Sequence, residues 1–160
     1  RVFGEVAAEY PDVEHDAWYV DALALDLVLH PARYDVIVAA NLFGDILSDL
    51  AAALVGGLGL APSANLHPGK PGLFEPVHGS APDIAGQNRA NPLAAVLTAA
   101  LMLDQLGFAR EAGRIEAAVR RSVALRQCTP DLGGSLGTEE VGDWLCRELV
   151  EPTDGVGTHE

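Results

Sequence analysis

The sequence predicts an α/β fold in which helices pack on a small sheet. Three observations carry that reading. Tyr34 to Ala40 (YDVIVAA) is a continuous apolar run with β-branched members, which suits a strand buried on both faces of a mainly parallel sheet. Four later stretches repeat apolar residues at helical spacing. Glycine and proline clusters punctuate the intervals between them. Few convincing strands accompany so many helices, so the sheet reads as incomplete and the chain as part of a larger fold. No G-x-G-x-x-G run occurs, which sets the fold apart from a standard Rossmann domain.

Taken in order, Arg1 to Asp16 mixes acids with scattered apolar residues and predicts a surface helix and the approach to a strand. After the Tyr34–Ala40 strand, Asn41 to Gly44 is expected to turn the chain. Asp45 to Val55 then predicts a helix with Ile46, Leu47, Leu50, Ala51 and Leu54 on one side, closed by Gly56 to Gly59. Ala61 to Phe74, with three prolines and two glycines, is expected to be mostly loop. Asn91 is a good N-cap and Pro92 a good first-turn residue for a helix carrying Leu93, Val96, Leu97, Ala100 and Leu101, stopped at Gly107. Glu111 to Arg126 presents Ile115, Ala118, Val119 and Val123 inward and Arg114, Arg120 and Arg121 outward. Thr138 is expected to cap a last helix, with Glu139 and Glu140 at its positive end and Val141, Trp144, Leu145 and Leu149 as its buried stripe. Glu151 to Glu160 has no periodicity and is expected to be a frayed tail.

Charge limits the partners. The chain has 160 residues, 49% hydrophobic and 21% charged, with a net charge of −13. That balance excludes a nucleic-acid binder, which needs a basic face, and disfavours docking on an anionic membrane. Residues 1–26 carry net −6, residues 27–130 net zero and residues 131–160 net −7, so the acidity is peripheral. No run of 18 apolar residues exists to span a bilayer. Two cysteines, Cys128 and Cys146, make no disulfide framework and suit a reducing, cytoplasmic setting. The start at Arg1, without a leader segment, reads as a processed or truncated chain.

Two constellations could carry chemistry. Asp45 and Asp49 lie four apart on one helix, so their carboxylates share a face and repel by ~0.2–0.5 kcal/mol when exposed. A divalent cation between them reverses that sign, and carboxylate oxygens select Mg²⁺ or Mn²⁺ over softer metals. The plain alternative, Asp45 as a helix cap and Asp49 solvated, is the stronger reading on spacing alone. Glu75 to Asp83 (EPVHGSAPD) is the second. Gly79 lets backbone approach a ligand, and Ser80 with Asp83 is spaced as a capping box around Pro82. A helix start there would offer N–H groups to a pyrophosphate, and Asp83 could accept hydrogen bonds from ribose hydroxyls. A capped loop with His78 satisfied by backbone fits the same residues. Asp21 alone says only that a helix begins with an acid.

Together, Val20-Asp21-Ala22, Asn41-Leu-Phe-Gly-Asp-Ile-Leu-Ser-Asp49, Gly57-Leu-Gly-Leu-Ala-Pro-Ser-Ala-Asn65, Glu75-Pro-Val-His-Gly-Ser-Ala-Pro-Asp-Ile-Ala-Gly86 and Ala90-Asn91-Pro92 resemble the 3-isopropylmalate/isocitrate dehydrogenase family. The likeness runs in order over almost the whole chain. It implies the C-terminal part of a two-domain isopropylmalate-dehydrogenase-like fold. Residues 1–55 would finish the smaller, dimer-forming domain and residues 56–150 the larger domain with the cofactor loop, with 151–160 as tail. It further implies NAD-dependent oxidative decarboxylation of a 3-substituted malate, with Mg²⁺ or Mn²⁺ favouring ionisation of the substrate hydroxyl and stabilising the enolate. Asp45 and Asp49 match the family's metal aspartates. Asp21 matches a third, contributed by a neighbouring subunit, so a homodimer sharing the site is implied. Asp21 and Asp45 are the catalytic, metal-linked candidates.

Glu75, His78, Gly79, Ser80, Ala81, Asp83, Ile84 and Asn91 match the NAD loop, and the acid at Asp83 would repel the 2′-phosphate of NADP. Two departures stand out. The family's proton-transfer lysine, substrate-binding arginines and tyrosine have no counterpart in this chain, which therefore resembles a C-terminal half and is expected to be inactive alone. The usual Gly-Lys-Gly-Ile-Ala-Asn-Pro is here Gly86-Gln-Asn-Arg-Ala-Asn-Pro92, which alters the adenosine rim. 3-Isopropylmalate is the favoured substrate, within leucine biosynthesis. Homoisocitrate, isocitrate and tartrate or malate dehydrogenases of the same family are alternatives, and Pro62 to Asn65 leans toward them. A non-catalytic regulatory subunit or inactive fragment is the alternative of another class.

Overall fold

In the computed structural model, residues 1–150 are described; the tail expected at 151–160 lies outside them. The elements are α1 (Val2–Ala7), α2 (Val20–Leu29), α3 (Asn41–Leu54), β1 (Pro62–Asn65), β2 (Leu73–Pro76), α4 (Leu93–Gln105), α5 (Ala109–Ala124) and α6 (Thr138–Val150). Short 3₁₀ turns occupy Pro31–Arg33, Leu58–Leu60, Pro82–Ile84 and Pro130–Leu132. The chain divides into two compact units, Arg1–Ala51 and Ala52–Glu160, with the division falling inside α3.

The first unit has a small core. Leu23 and Leu27 on α2 meet Leu47 on α3, with Val20, Ala24, Tyr34, Leu50 and Ala51 around them. The surface helix expected near the N-terminus is α1, and nothing after it forms a strand before α2. The strand expected at Tyr34–Ala40 is not formed. The segment makes no sheet, and Val36 and Val38 are 83% and 77% exposed. A strand buried on both faces needs neighbours on both edges, and none is present among the described residues. The turn expected at Asn41–Gly44 is already helix, since Gly44 N–H donates to the Ala40 carbonyl at 2.8 Å. Four residues of α3 were therefore missed, and Asp45 sits inside the helix rather than at its cap.

Tyr34 is fixed by chemistry as well as packing. Its hydroxyl donates to Asp26 Oδ2 at 2.5 Å, while His30 Nδ1 lies 2.9 Å and Arg33 Nη1 3.4 Å from the same carboxyl group. The Tyr34 hydrogen bond, then the one from His30, holds the Asp26 carboxyl below the usual carboxylate range. A depressed pKa means that Asp26 contributes stability fully above its unfolded pKa of about 3.9 and loses it as pH falls through the depressed folded value. Asp26→Asn is thus expected to flatten the loss of stability in acid. Urea melts of the two proteins between neutral and strongly acidic pH test this; parallel slopes would rule it out.

The second unit holds the larger core. Leu93, Ala118, Val119, Cys128, Val141 and Leu145 are buried together, with Val96, Leu97, Trp144 and Leu149 packed against them. α4 lies on α5 and on both strands, and α5 lies on α6. The apolar positions read as inward on α5 and α6 supply Ala118, Val119, Val141 and Leu145 to this cluster. The stretch expected to be mostly loop, Ala61–Phe74, instead contains β1 and the start of β2. They pair antiparallel, Pro62 with Pro76, Ser63 with Glu75, Ala64 with Phe74 and Asn65 with Leu73. Prolines at the ends and a Ser-Ala-Asn centre hide the strand signal, since neither apolar alternation nor β-branching marks it. The two strands rest on α4, which supplies the burial their own sequence does not advertise.

Candidate functional site

The metal candidates lie on α2 and α3. Asp21 is in the first turn of α2, exposed, with Oδ1 accepting from the Ala22 N–H at 2.9 Å. Leu23 and Leu27 turn the opposite side of that helix inward. Asp45 and Asp49 are both exposed, one turn apart on α3, with Leu47 between them buried. Asn41 Nδ2 donates to Asp45 Oδ2 at 3.4 Å, and Asp49 has no side-chain partner among the described residues. The structure therefore puts Asp45 and Asp49 on one face and does not bring Asp21 to them. No group of three His, Cys, Asp or Glu side chains forms a metal cage among the described residues. Two exposed carboxylates at i and i+4 fit a hard divalent ion as part of a shell, with further oxygens needed to complete it.

The cofactor candidates lie in the second unit. Glu75 is exposed on β2, opposite Ser63. His78 Nδ1 is 2.9 Å from the Gly79 carbonyl, which can only accept, so Nδ1 carries the hydrogen. In the neutral ring Nε2 then holds a lone pair, and that atom is buried without a partner. A Cβ at Gly79 would meet nothing within 4 Å, so the backbone there is open to approach. The expected capping box is not formed. Ala81 adopts a left-handed conformation, φ 44 and ψ 61, and no side chain caps the three-residue turn Pro82–Ile84. That leaves the Ser80 hydroxyl and the Asp83 carboxylate uncommitted among the described residues, with Gln87 Nε2 donating instead to the Asp83 carbonyl at 2.8 Å. Holding alanine left-handed costs ~1 kcal/mol or more.

Ser80, Ala81 and Ile84, together with Asn88, Arg89, Ala90, Thr138 and Glu139, line a cavity of about 310 Å³. Its size is at the lower end of small-molecule pockets. The polar groups on its lining, Ser80, Asn88, Thr138 and Glu139, fit the hydroxyl-bearing end of a dinucleotide, while His78 and Asp83 belong to the same loop but do not line it. Asn91 is engaged within the fold. Its Oδ1 accepts from the Leu93 N–H at 2.9 Å, but it stands one residue ahead of the N-cap of α4, which is Pro92 rather than the expected Asn91, and its Nδ2 donates to Asp131 Oδ2 at 2.8 Å. Both ends of the amide are committed within the fold, so Asn91 shapes the loop.

Three contacts here escaped the sequence reading. Asp131 is held by Asn91 and by the Thr129 hydroxyl at 2.5 Å. Asn88 and Glu140 are joined at 3.0 Å. Thr138 does not cap α6 with its side chain; its hydroxyl donates to the Ala90 carbonyl at 2.6 Å. The one available signal was Asn88 itself: asparagine tolerates positive φ, and φ here is 54°.

Comparison with known proteins identifies the family. The family model described as isocitrate/isopropylmalate dehydrogenase matches residues 1–145. The chain belongs to that family. A 3-isopropylmalate dehydrogenase of Methanothermobacter thermautotrophicus is 55% identical over 149 residues, covering 93% of this chain and 45% of the relative. A homoisocitrate dehydrogenase of Methanocaldococcus jannaschii is 52% identical over 155 residues, covering 97% of this chain and 44% of the relative. The crystal structure of isocitrate dehydrogenase from Methylococcus capsulatus superposes with a TM-score of 0.86 at 47% identity, covering 94% of this chain and 45% of that one. The mixed helix-and-sheet fold is thus that of the family, as the motifs implied. The chain spans less than half the length of the curated relatives it matches. Among the described residues, no helix is long and apolar enough to cross a membrane.

Proposed function

We propose that this chain supplies two metal aspartates and the cofactor loop of a decarboxylating dehydrogenase that oxidises a 3-substituted malate with NAD, with 3-isopropylmalate as the first candidate. The observation that carries the cofactor half is the 310 Å³ cavity bordered by Ser80, Ala81 and Ile84 of the EPVHGSAPDIAG motif. Asp45 and Asp49 hold a Mg²⁺ or Mn²⁺ ion through carboxylate oxygens, and Asp21 of a second copy completes the shell in a homodimer. When bound, the ion would supply stabilisation of negative charge on the substrate oxygens and NAD a hydride acceptor. Asp83 accepts hydrogen bonds from ribose hydroxyls and repels a 2′-phosphate. The free Ser80 hydroxyl and the open backbone at Gly79 meet the ligand where a bulkier residue would block it.

Titrating the chain with NAD and with NADP, by calorimetry, tests this reading. NAD is expected to bind more tightly, and Asp83→Ala to weaken it roughly tenfold, the worth of one charge-assisted hydrogen bond. Equal affinity for both nucleotides, or no effect of Asp83→Ala, would overturn the assignment. The chain by itself is expected to show no turnover with NAD, Mn²⁺ and 3-substituted malates, since its one lysine, Lys70, lies in the loop between β1 and β2. Nucleotide binding without any Mn²⁺ binding would instead favour a regulatory role.

A further inference from the structure

The cavity has two walls far apart in sequence, the 80–90 segment and the first turn of α6. Among the described residues, the hydrogen bonds that join them run through Asn88 and Ala90. Asn88 Oδ1 accepts from the Glu139 N–H at 2.9 Å, and its Nδ2 donates to Glu140 Oε2 at 3.0 Å. The Asn88 carbonyl accepts from the Thr138 N–H at 3.2 Å, and the Thr138 hydroxyl reaches the Ala90 carbonyl. One asparagine thus does for α6 what an N-cap residue normally does from within the helix.

Its surroundings are shaped to this task. A Cβ at Gly137 would press on Asn88 Nδ2 and stand 2.5 Å from Glu140 Oε2 and 2.7 Å from the Asn88 carbonyl oxygen, so the clasp needs glycine there. The Glu140 carboxyl is held below its usual range by its own backbone N–H and then by Asn88, so it is an ionised acceptor at neutral pH.

We propose that Asn88 is a positioning residue whose clasp on the first turn of α6 sets the width of the nucleotide cavity. The proposal rests on the cofactor reading above. It predicts that donor and acceptor across the clasp can be exchanged but not both made acceptors. In Asn88→Asp, a carboxylate still accepts from the Glu139 N–H but faces the Glu140 carboxylate, and the clasp opens. Adding Glu140→Gln returns a donor to the pair from the other side.

The test is titration of ¹⁵N-labelled chain with NAD, followed at the amides of Ser80, Ile84 and Glu139. Asn88→Asp is expected to weaken binding about tenfold, and the Asn88→Asp/Glu140→Gln pair to restore it to within about twofold of the parent. Asn88→Gly keeps the left-handed backbone, removes both side-chain bonds and is expected to weaken binding likewise; it serves where Asn88→Asp does not fold. Parent-like affinity in the single variants, or a loss that the pair does not restore, overturns the positioning role and leaves the cofactor reading intact. A parent chain whose amides do not respond to NAD overturns the cofactor reading, and the clasp's role in binding with it.

Discussion

Gly134→Ala is expected to unfold the second unit. A Cβ at this glycine would collide with the Cys128 carbonyl and stand 2.9 Å from the Cys128 sulfur. Neither side can yield. The Cys128 carbonyl accepts from the Leu136 N–H at 3.1 Å, and Gly134 N–H donates to the Thr129 carbonyl at 3.2 Å. Cys128 and Thr129 are fully buried, and Cys128 is a member of the main core. Ordinary overpacking costs ~1–3 kcal/mol, and a collision with hydrogen-bonded backbone exceeds that range. Gly113→Ala is the control, since its Cβ on α5 would meet nothing within 4 Å. There the change removes a helix glycine and is expected to stabilise by about 0.5–1 kcal/mol. Thermal melts by circular dichroism should move in opposite directions for the two alanines; a Gly134→Ala chain melting at the parent temperature would refute the packing account.

The second large effect concerns the ion. Within an assembled, active dehydrogenase that contains this chain, Asp45→Asn or Asp49→Asn is expected to weaken Mn²⁺ binding at least tenfold. Loss of an outer-shell partner typically costs about 10–100-fold, and a direct ligand should cost no less. Stability should move the other way. The two carboxylates repel on an exposed face, and removing one relieves ~0.2–0.5 kcal/mol. Weaker metal binding with equal or slightly higher stability separates a ligand from a structural residue. Calorimetric titration with Mn²⁺ decides it, and unchanged affinity would count against the metal role.

Much of this was legible in the residues. The helical spacing of Leu93, Val96, Leu97 and of Ala118, Val119 states which faces turn inward, and those faces form the core. The motifs at 41–49 and 75–86 carried the family assignment without any structure. What failed did so for definable reasons. YDVIVAA has every property of a central strand except neighbours, and periodicity cannot report whether a ladder partner exists. PSAN forms a strand because α4 covers it, a tertiary cause with no local trace. The capping box at Ser80 and Asp83 had the right spacing, but left-handed Ala81 takes the chain out of the geometry it needs. The clasp between Asn88 and Glu140 joins residues 52 apart, beyond the reach of any local pattern.

The open backbone at 35–40 carries a practical consequence. Val36 to Ala40 is a short apolar ribbon, its amides and carbonyls outside any sheet and only Asp35 guarding one end. Such an edge is a template for any other chain with the same edge, and copies stacked there would form intermolecular sheet. A lysine or proline at position 36 or 38 would blunt that edge.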